Sequence, residues 1–210
     1  KVYAQYSFGD NTNTDDDGVK HEEGKTTTNR YYGLGVTYTN GGLVLTGIVD
    51  SVNEAHTADM QEEPDDTIRV TLGGTYDFGM VKPYVAASYF KDGQINKPFS
   101  NAYEGAWSAN LGGGKDWDGY AVSLGATVPA FGGKAHAVLG YMDAESEGSP
   151  LGADDFTRYM VGFGYEYPLS KRTLVYADAG YFKDEYDSPL PTADREPDAY
   201  QAAVGLVHYF

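Results

Sequence analysis

Cysteine is absent from the 210 residues, which excludes disulfides, thiol catalysis and cysteine metal sites. No apolar run approaches the ~20 residues that a membrane-spanning helix needs, and mean hydropathy is negative. Positive charge is scarce, with 15 Lys and Arg against 31 Asp and Glu and a net charge of −16 at pH 7. Nucleic acid requires a basic surface and is excluded as a partner. No secretory leader stands before Lys1; the expectation is that a leader has been removed or that an N-terminal part precedes this stretch. The length suits one β-domain, read as residues 1–210.

What is abundant is tyrosine, at 19 residues, and glycine, at 27. That pairing favours strands whose aromatic rings sit at a membrane–water boundary. Alternation marks ten segments, at about 2–8, 30–39, 43–52, 67–78, 81–91, 118–128, 134–144, 157–168, 172–183 and 199–210. Each is near the length of a tilted membrane strand. The connections alternate between short and long. Short ones are Asn40-Gly41-Gly42, Gly79-Met80, Pro129 to Gly133 and Pro168 to Lys171; long ones are about 9–29, 53–66, 92–117, 145–156 and 184–198. An up-and-down meander has this rhythm when its two ends face different compartments. A β-sandwich, which mixes hairpins with crossovers, has no reason for it.

The two faces of each segment differ. Ile68, Val70, Leu72, Tyr76 and Phe78 oppose Thr67, Arg69, Thr71, Thr75 and Asp77. Tyr120, Val122, Leu124, Ala126 and Val128 oppose Ala121, Ser123, Gly125 and Thr127. Tyr159, Val161, Phe163, Tyr165 and Tyr167 oppose Arg158, Gly162, Gly164 and Glu166. One face is apolar and ends in tyrosine; the other is small, polar or charged. A soluble barrel would turn the apolar face inward and leave glycine, serine and threonine to clothe its surface. The aromatic ends of the apolar stripe suit interface girdles instead. The reading is an all-β transmembrane antiparallel up-and-down barrel, in which only every second residue meets lipid.

The long connections carry the acid. Asp10, Asp15, Asp16, Asp17, Glu22 and Glu23 lie in 9–29, and Glu54, Asp59, Glu62, Glu63, Asp65 and Asp66 in 53–66. Such groups are costly to desolvate and belong in water, where they can share divalent cations with lipopolysaccharide. The run Asn13-Thr14-Asp15-Asp16-Asp17-Gly18 starts like a calcium loop, but Gly24 stands where the twelfth-position Glu belongs, so the EF-hand pattern fails. Only adventitious calcium on an acidic loop is left, and no cofactor is expected.

The C-terminal end is the most specific part. Tyr200, Ala202, Val204, Leu206 and His208 share a face on the strand that ends at Phe210. A terminal Phe on such a strand resembles the signal read by the outer-membrane barrel assembly machinery, carried here by Tyr200, Leu206, His208 and Phe210. The hairpin Tyr167-Pro-Leu-Ser-Lys-Arg-Thr-Leu-Val-Tyr-Ala-Asp-Ala-Gly-Tyr181 resembles the penultimate hairpin of the general trimeric porins of Gram-negative bacteria. Val204 to Phe210 is similar to the same family's last strand, and Phe8-Gly9 and Tyr38-Thr-Asn-Gly-Gly-Leu43 fit its middle strands. The nearest likeness is to betaproteobacterial porins. The resemblance implies a sixteen-stranded barrel in a homotrimer in the outer membrane, of which these are the last ten strands, without the first six or the constriction loop. It also implies phospholipid and lipopolysaccharide around the barrel. Val207 and Tyr209, inward by alternation, stand where the family usually has basic residues.

The function implied is a water-filled channel for passive diffusion of small hydrophilic solutes and ions. Such a channel needs an open lumen and a biasing field, not reaction chemistry. Alternation places Arg69, Lys82, Arg158 and Arg172 inward, with Lys134 near a short turn, and also Asp77, Glu166, Asp178 and Tyr176. These are the candidate pore-lining residues; each is equally readable as a lumen charge that merely pairs and keeps the interior wet. Two other classes compete. Ten strands is also the number in the omptin proteases, and His21 with Asp17 or Glu22, or His56, can be imagined as a loop-borne base. A loop histidine among acids is usually just solvated. An outer-membrane phospholipase needs a Ser–His pair, which neither His136 nor His208 offers by pattern. The remaining class is a non-conducting binding or structural barrel with a filled lumen.

Overall fold

The computed structural model describes residues 1–8, 30–53, 65–93, 95, 117–146, 154–187 and 196–210. Ten strands follow one another: β1 (Val2–Ser7), β2 (Arg30–Asn40), β3 (Leu43–Asn53), β4 (Thr67–Tyr76), β5 (Lys82–Gly93), β6 (Trp117–Ala130), β7 (Gly133–Ser146), β8 (Asp154–Pro168), β9 (Thr173–Asp187) and β10 (Asp198–His208). They form one antiparallel sheet in strict sequence order. Among the described residues there is no helix, and β1 and β10 are the sheet's two edges. This is the expected up-and-down meander. Every second connection is a tight turn, which places four hairpins at one end and the long connections at the other. The acidic runs in 9–29 and 54–64, the calcium-like run 13–24, and His21 and His56 lie outside the described residues.

Local chemistry sets the turns. Gly41 has φ +57° at the first position of the two-residue turn joining Asn40 to Leu43. Phe131 and Gly132 both have positive φ between Ala130 and Gly133, the conformation that matches the right-handed twist of flanking strands. Asp77 leaves β4 and caps the next turn: its carboxylate accepts the Gly79 N–H at 2.8 Å, while its own N–H donates to the Gly42 carbonyl at 2.9 Å.

Several strands run further toward the long connections than alternation in the sequence suggests. β7 reaches Ser146, β8 starts at Asp154, and β9 extends to Asp187. β5 reaches Gly93, which pairs with Trp117 beyond an irregularity after Phe90 where Asp92 has φ 52°. Acids crowd these ends and read as loop, but the backbone ladder continues through them. The extension assembles the core. Trp117, Ala144, Phe156 and Tyr186 are buried together with Ile95, and Phe90 and Met142 pack on them. The Trp117 ring meets Phe156 at 5.9 Å and Tyr186 at 6.3 Å, both edge-on.

Candidate functional site

The period-2 geometry of a strand gives the sheet two surfaces, and cross-strand register aligns them. Val85, Leu124, Leu139, Val161, Tyr181 and Tyr200 are successive neighbours from β5 to β10 and make one apolar row. These side chains are exposed rather than packed: Val122 is 43% and Leu124 60% accessible, while Ser123 and Thr127 on the other face are partly covered. An apolar row left open to the surroundings needs an apolar solvent, and lipid is that solvent. Aromatic rings flank it at both ends. Tyr120, Tyr141 and Tyr159 stand side by side toward the long connections, with centroids 6.2 and 5.5 Å apart. Tyr76 and Phe78 sit 4.5 Å apart toward the short turns, where the Tyr165 hydroxyl donates to the carbonyls of Ala130 and Phe131.

The opposite face is the candidate pore wall. Lys82 starts β5 opposite Thr127, whose other neighbour on the same face is His136. Lys134 stands opposite Glu166, which in turn faces Tyr176, and Tyr176 lies over Gly205. Tyr84 reaches from β5 across Gly125, where no Cβ fits beneath its ring, and its hydroxyl donates to the Ala137 carbonyl on β7 at 3.1 Å. Arg69 faces Asp50 on β3; Nε lies 3.7 Å from Oδ1, and half of the arginine side chain is exposed.

Register changes the standing of other candidates. Arg158 points to the polar face as expected, but it is not an open cation. Its Nε and a terminal nitrogen donate to the two oxygens of Asp184 at 2.8 and 3.1 Å, and the guanidinium lies 5.3 Å from the Phe156 ring centroid and 5.8 Å from that of Phe182. Asp184 is almost wholly buried, so the pair is a packed, mutually neutralising unit beside the core. Tyr186 donates to Asp154 at 2.9 Å in the same region. Asp77 and Arg172, both expected on the wall, sit in short turns beyond the strand ends. The Arg172 N–H donates to Ser170 Oγ at 3.1 Å, and its carbonyl accepts the Tyr209 N–H at 2.8 Å.

Asp178 is on the wall as expected, and its partner was not anticipated. His136 Nε2 lies 3.0 Å from Asp178 Oδ1. The available signal was parity, since His136 shares a face with Val138 and Gly140. The buried aromatic cluster was also unforeseen, although Phe156 and Tyr186 carry the parity of Arg158 and Asp184. On β10, Tyr200, Leu206 and His208 share the apolar face, with Phe210 beyond the strand end. His208 Nδ1 is 2.8 Å from Thr173 Oγ1, and its ring meets Phe210 edge-on at 5.0 Å. Among the described residues no group of three or more potential ligands is placed to hold a metal ion.

Comparison with known proteins agrees with this architecture. The sequence model of the Gram-negative porin family matches residues 1–187. An outer membrane porin protein of Bordetella pertussis is 30% identical over 190 residues, covering 85% of this chain and 47% of that protein. An anion-selective porin from Comamonas acidovorans superposes with a TM-score of 0.57 at 21% identity, over 87% of this chain and 50% of the other. OmpT, an outer membrane protein of Vibrio cholerae, superposes with a TM-score of 0.59 at 18% identity, over 100% of this chain and 61% of the other. The chain thus spans about half the length of the first relatives it matches. With its ten-stranded meander, outward apolar face and matching family pattern, this chain belongs to the Gram-negative porins, β-barrel proteins of the outer membrane.

Proposed function

We propose that the protein to which this chain belongs forms a water-filled channel for passive diffusion of small hydrophilic solutes and ions, and that it does so as a homotrimer. The observation that carries the reading is the separation of the two faces: exposed Leu72, Leu124 and Leu139 on one side, and Lys82, Lys134, Glu166 and Asp178 on the other. A polar face with charges of both signs, turned to water inside lipid, orients dipolar solutes and slows apolar ones. The two sheet edges support closure by further strands of the same kind, since unpaired backbone cannot stay in lipid. Reaction chemistry and a cofactor have no part in this reading. Phospholipid and lipopolysaccharide around the apolar face, and the barrel assembly machinery at the C-terminal strand, are the partners it calls for. The trimer form in which OmpT of Vibrio cholerae has been solved supports the proposed assembly.

Planar-bilayer recording on the full-length protein tests it. Stepwise insertion of open channels, in groups of three, is the expected result. Protein that folds and inserts without conductance would overturn the channel reading in favour of a filled barrel.

A further inference from the structure

One histidine–acid contact on the inward face stays open to water. His136 Nε2 lies 3.0 Å from Asp178 Oδ1, and the two side chains are 32% and 44% exposed. The ground around them is low: Gly164 lies beneath the contact, and Gly162 and Gly180 are register partners in the row beside it. The pair of Arg158 and Asp184, further along the same strands, is covered by comparison, at 14% and 1%. Few other groups face the contact. Thr127 stands opposite His136 on β6, and Gly164 stands opposite it on β8, with Glu166 two residues on. β7 itself adds Lys134, β9 adds Tyr176 beside Asp178, and β10 places Ala203 against Asp178. Lys82 stands in the same row, two strands away on β5. Carboxylates, ammoniums and phenols ordinarily hold one charge state from pH 5 to 8, whereas the imidazole of a histidine changes within that range.

We propose that His136 is a selectivity-determining residue of the channel: its proton cancels or exposes the Asp178 charge that passing ions meet. A neutral imidazole donates from Nε2 to the carboxylate, and a further proton enters at Nδ1, so the contact stands in both states. Only the charge differs. The pair carries one negative charge with the imidazole neutral and no net charge with it protonated. A negative charge on a water-filled wall favours cations over anions. The lumen is therefore more cation-favouring at pH 8 than at pH 5. The inference deepens the channel reading and rests on it, since a filled barrel passes no ions.

The test is the reversal potential of the full-length protein in planar bilayers, under a potassium chloride gradient, at steps from pH 5 to pH 8. The potassium-to-chloride permeability ratio is expected to rise about twofold across that range, the weight of one unit charge about 8 Å from an ion in salt water. His136→Gln keeps an N–H for Asp178 but takes up no proton, and its ratio is expected to stay flat. Asp178→Asn removes the charge instead, and its ratio at pH 8 is expected to fall to the value of the unaltered protein at pH 5. Where His136→Gln fails to fold, the Asp178→Asn recording decides alone. Three results overturn the inference. One is a ratio in the unaltered protein that ignores pH. Another is a slope that survives His136→Gln, as titration of His21 or His56 in the long connections would give. The third is an Asp178→Asn channel as cation-favouring at pH 8 as the unaltered one. Inserted protein without conductance overturns the channel reading and takes this inference with it, whereas conductance with a pH-independent ratio overturns this inference alone.

Discussion

His136 and Asp178 are joined by a 3.0 Å contact although they stand on β7 and β9, with β8 between them. The bridge passes over Gly164, the register partner of both residues. A Cβ at position 164 would overlap the imidazole and the carboxylate together. Glycine there is what lets two side chains reach each other across an intervening strand.

Gly164→Ala is therefore expected to destabilise the folded protein by about 1–3 kcal/mol, the usual effect of forced overpacking. Gly162→Ala, two residues away on the same face, meets Val138 Cγ1 at 3.0 Å and the Ala179 carbonyl at an ordinary 3.8 Å, and should cost less. Urea midpoints of both variants refolded into lipid vesicles give the comparison. Equal midpoints would contradict the bridging geometry.

The Arg158–Asp184 pair makes a second, opposite prediction about charge. Asp184→Ala leaves a guanidinium beside the core without its bidentate acceptor and is expected to cost about 3–5 kcal/mol. The double variant Arg158→Met, Asp184→Leu removes both charges and should recover most of that loss. The same unfolding experiment reports the coupling between the two positions, and strictly additive effects would show that the pair does not act as a unit.

Leu124 and Leu139 face each other on the apolar surface, while Ser123 points the other way. Leu139→Arg is expected to lower stability in the bilayer by about 2–4 kcal/mol, the cost of an arginine near the lipid midplane. Ser123→Arg should be far better tolerated, because its side chain enters the aqueous side. Folding yield into vesicles, read by heat-modifiable electrophoretic migration, distinguishes them. A reversed order would mean that the faces are inverted and would remove the basis for a channel.

Selectivity is expected to follow the wall charges. Lys82→Glu and Lys134→Glu should each move the reversal potential in a potassium chloride gradient toward cation preference. The excess of acidic residues in the sequence predicts that the starting point is already cation-favouring. A clear anion preference in the unaltered protein would count against that expectation.

Alternation alone was enough to find ten strands, four tight turns and the identity of the lipid-facing side. The reason is that a strand's side chains have a period of two, so face assignment needs no partner. Composition at the two ends of each strand was equally informative: tyrosines such as Tyr120 and Tyr167 mark the boundaries without any knowledge of their neighbours. The short hairpin turns were legible for the same local reason, since Gly41 and Gly132 supply the positive φ the backbone needs.

What pairing determines lay beyond such reading. Whether Arg158 is an open pore charge or a buried partner of Asp184 depends on which residue the next strand places opposite it, and a slip of register would change the answer. The same holds for His136 meeting Asp178 across a glycine and for the edge-on packing of Phe156 and Tyr186 on Trp117 from strand ends that look like acidic loop. These are relations between positions far apart in the chain, and hydrogen-bonded register across neighbouring strands is the physical step that converts separate two-residue periods into a wall with particular contents.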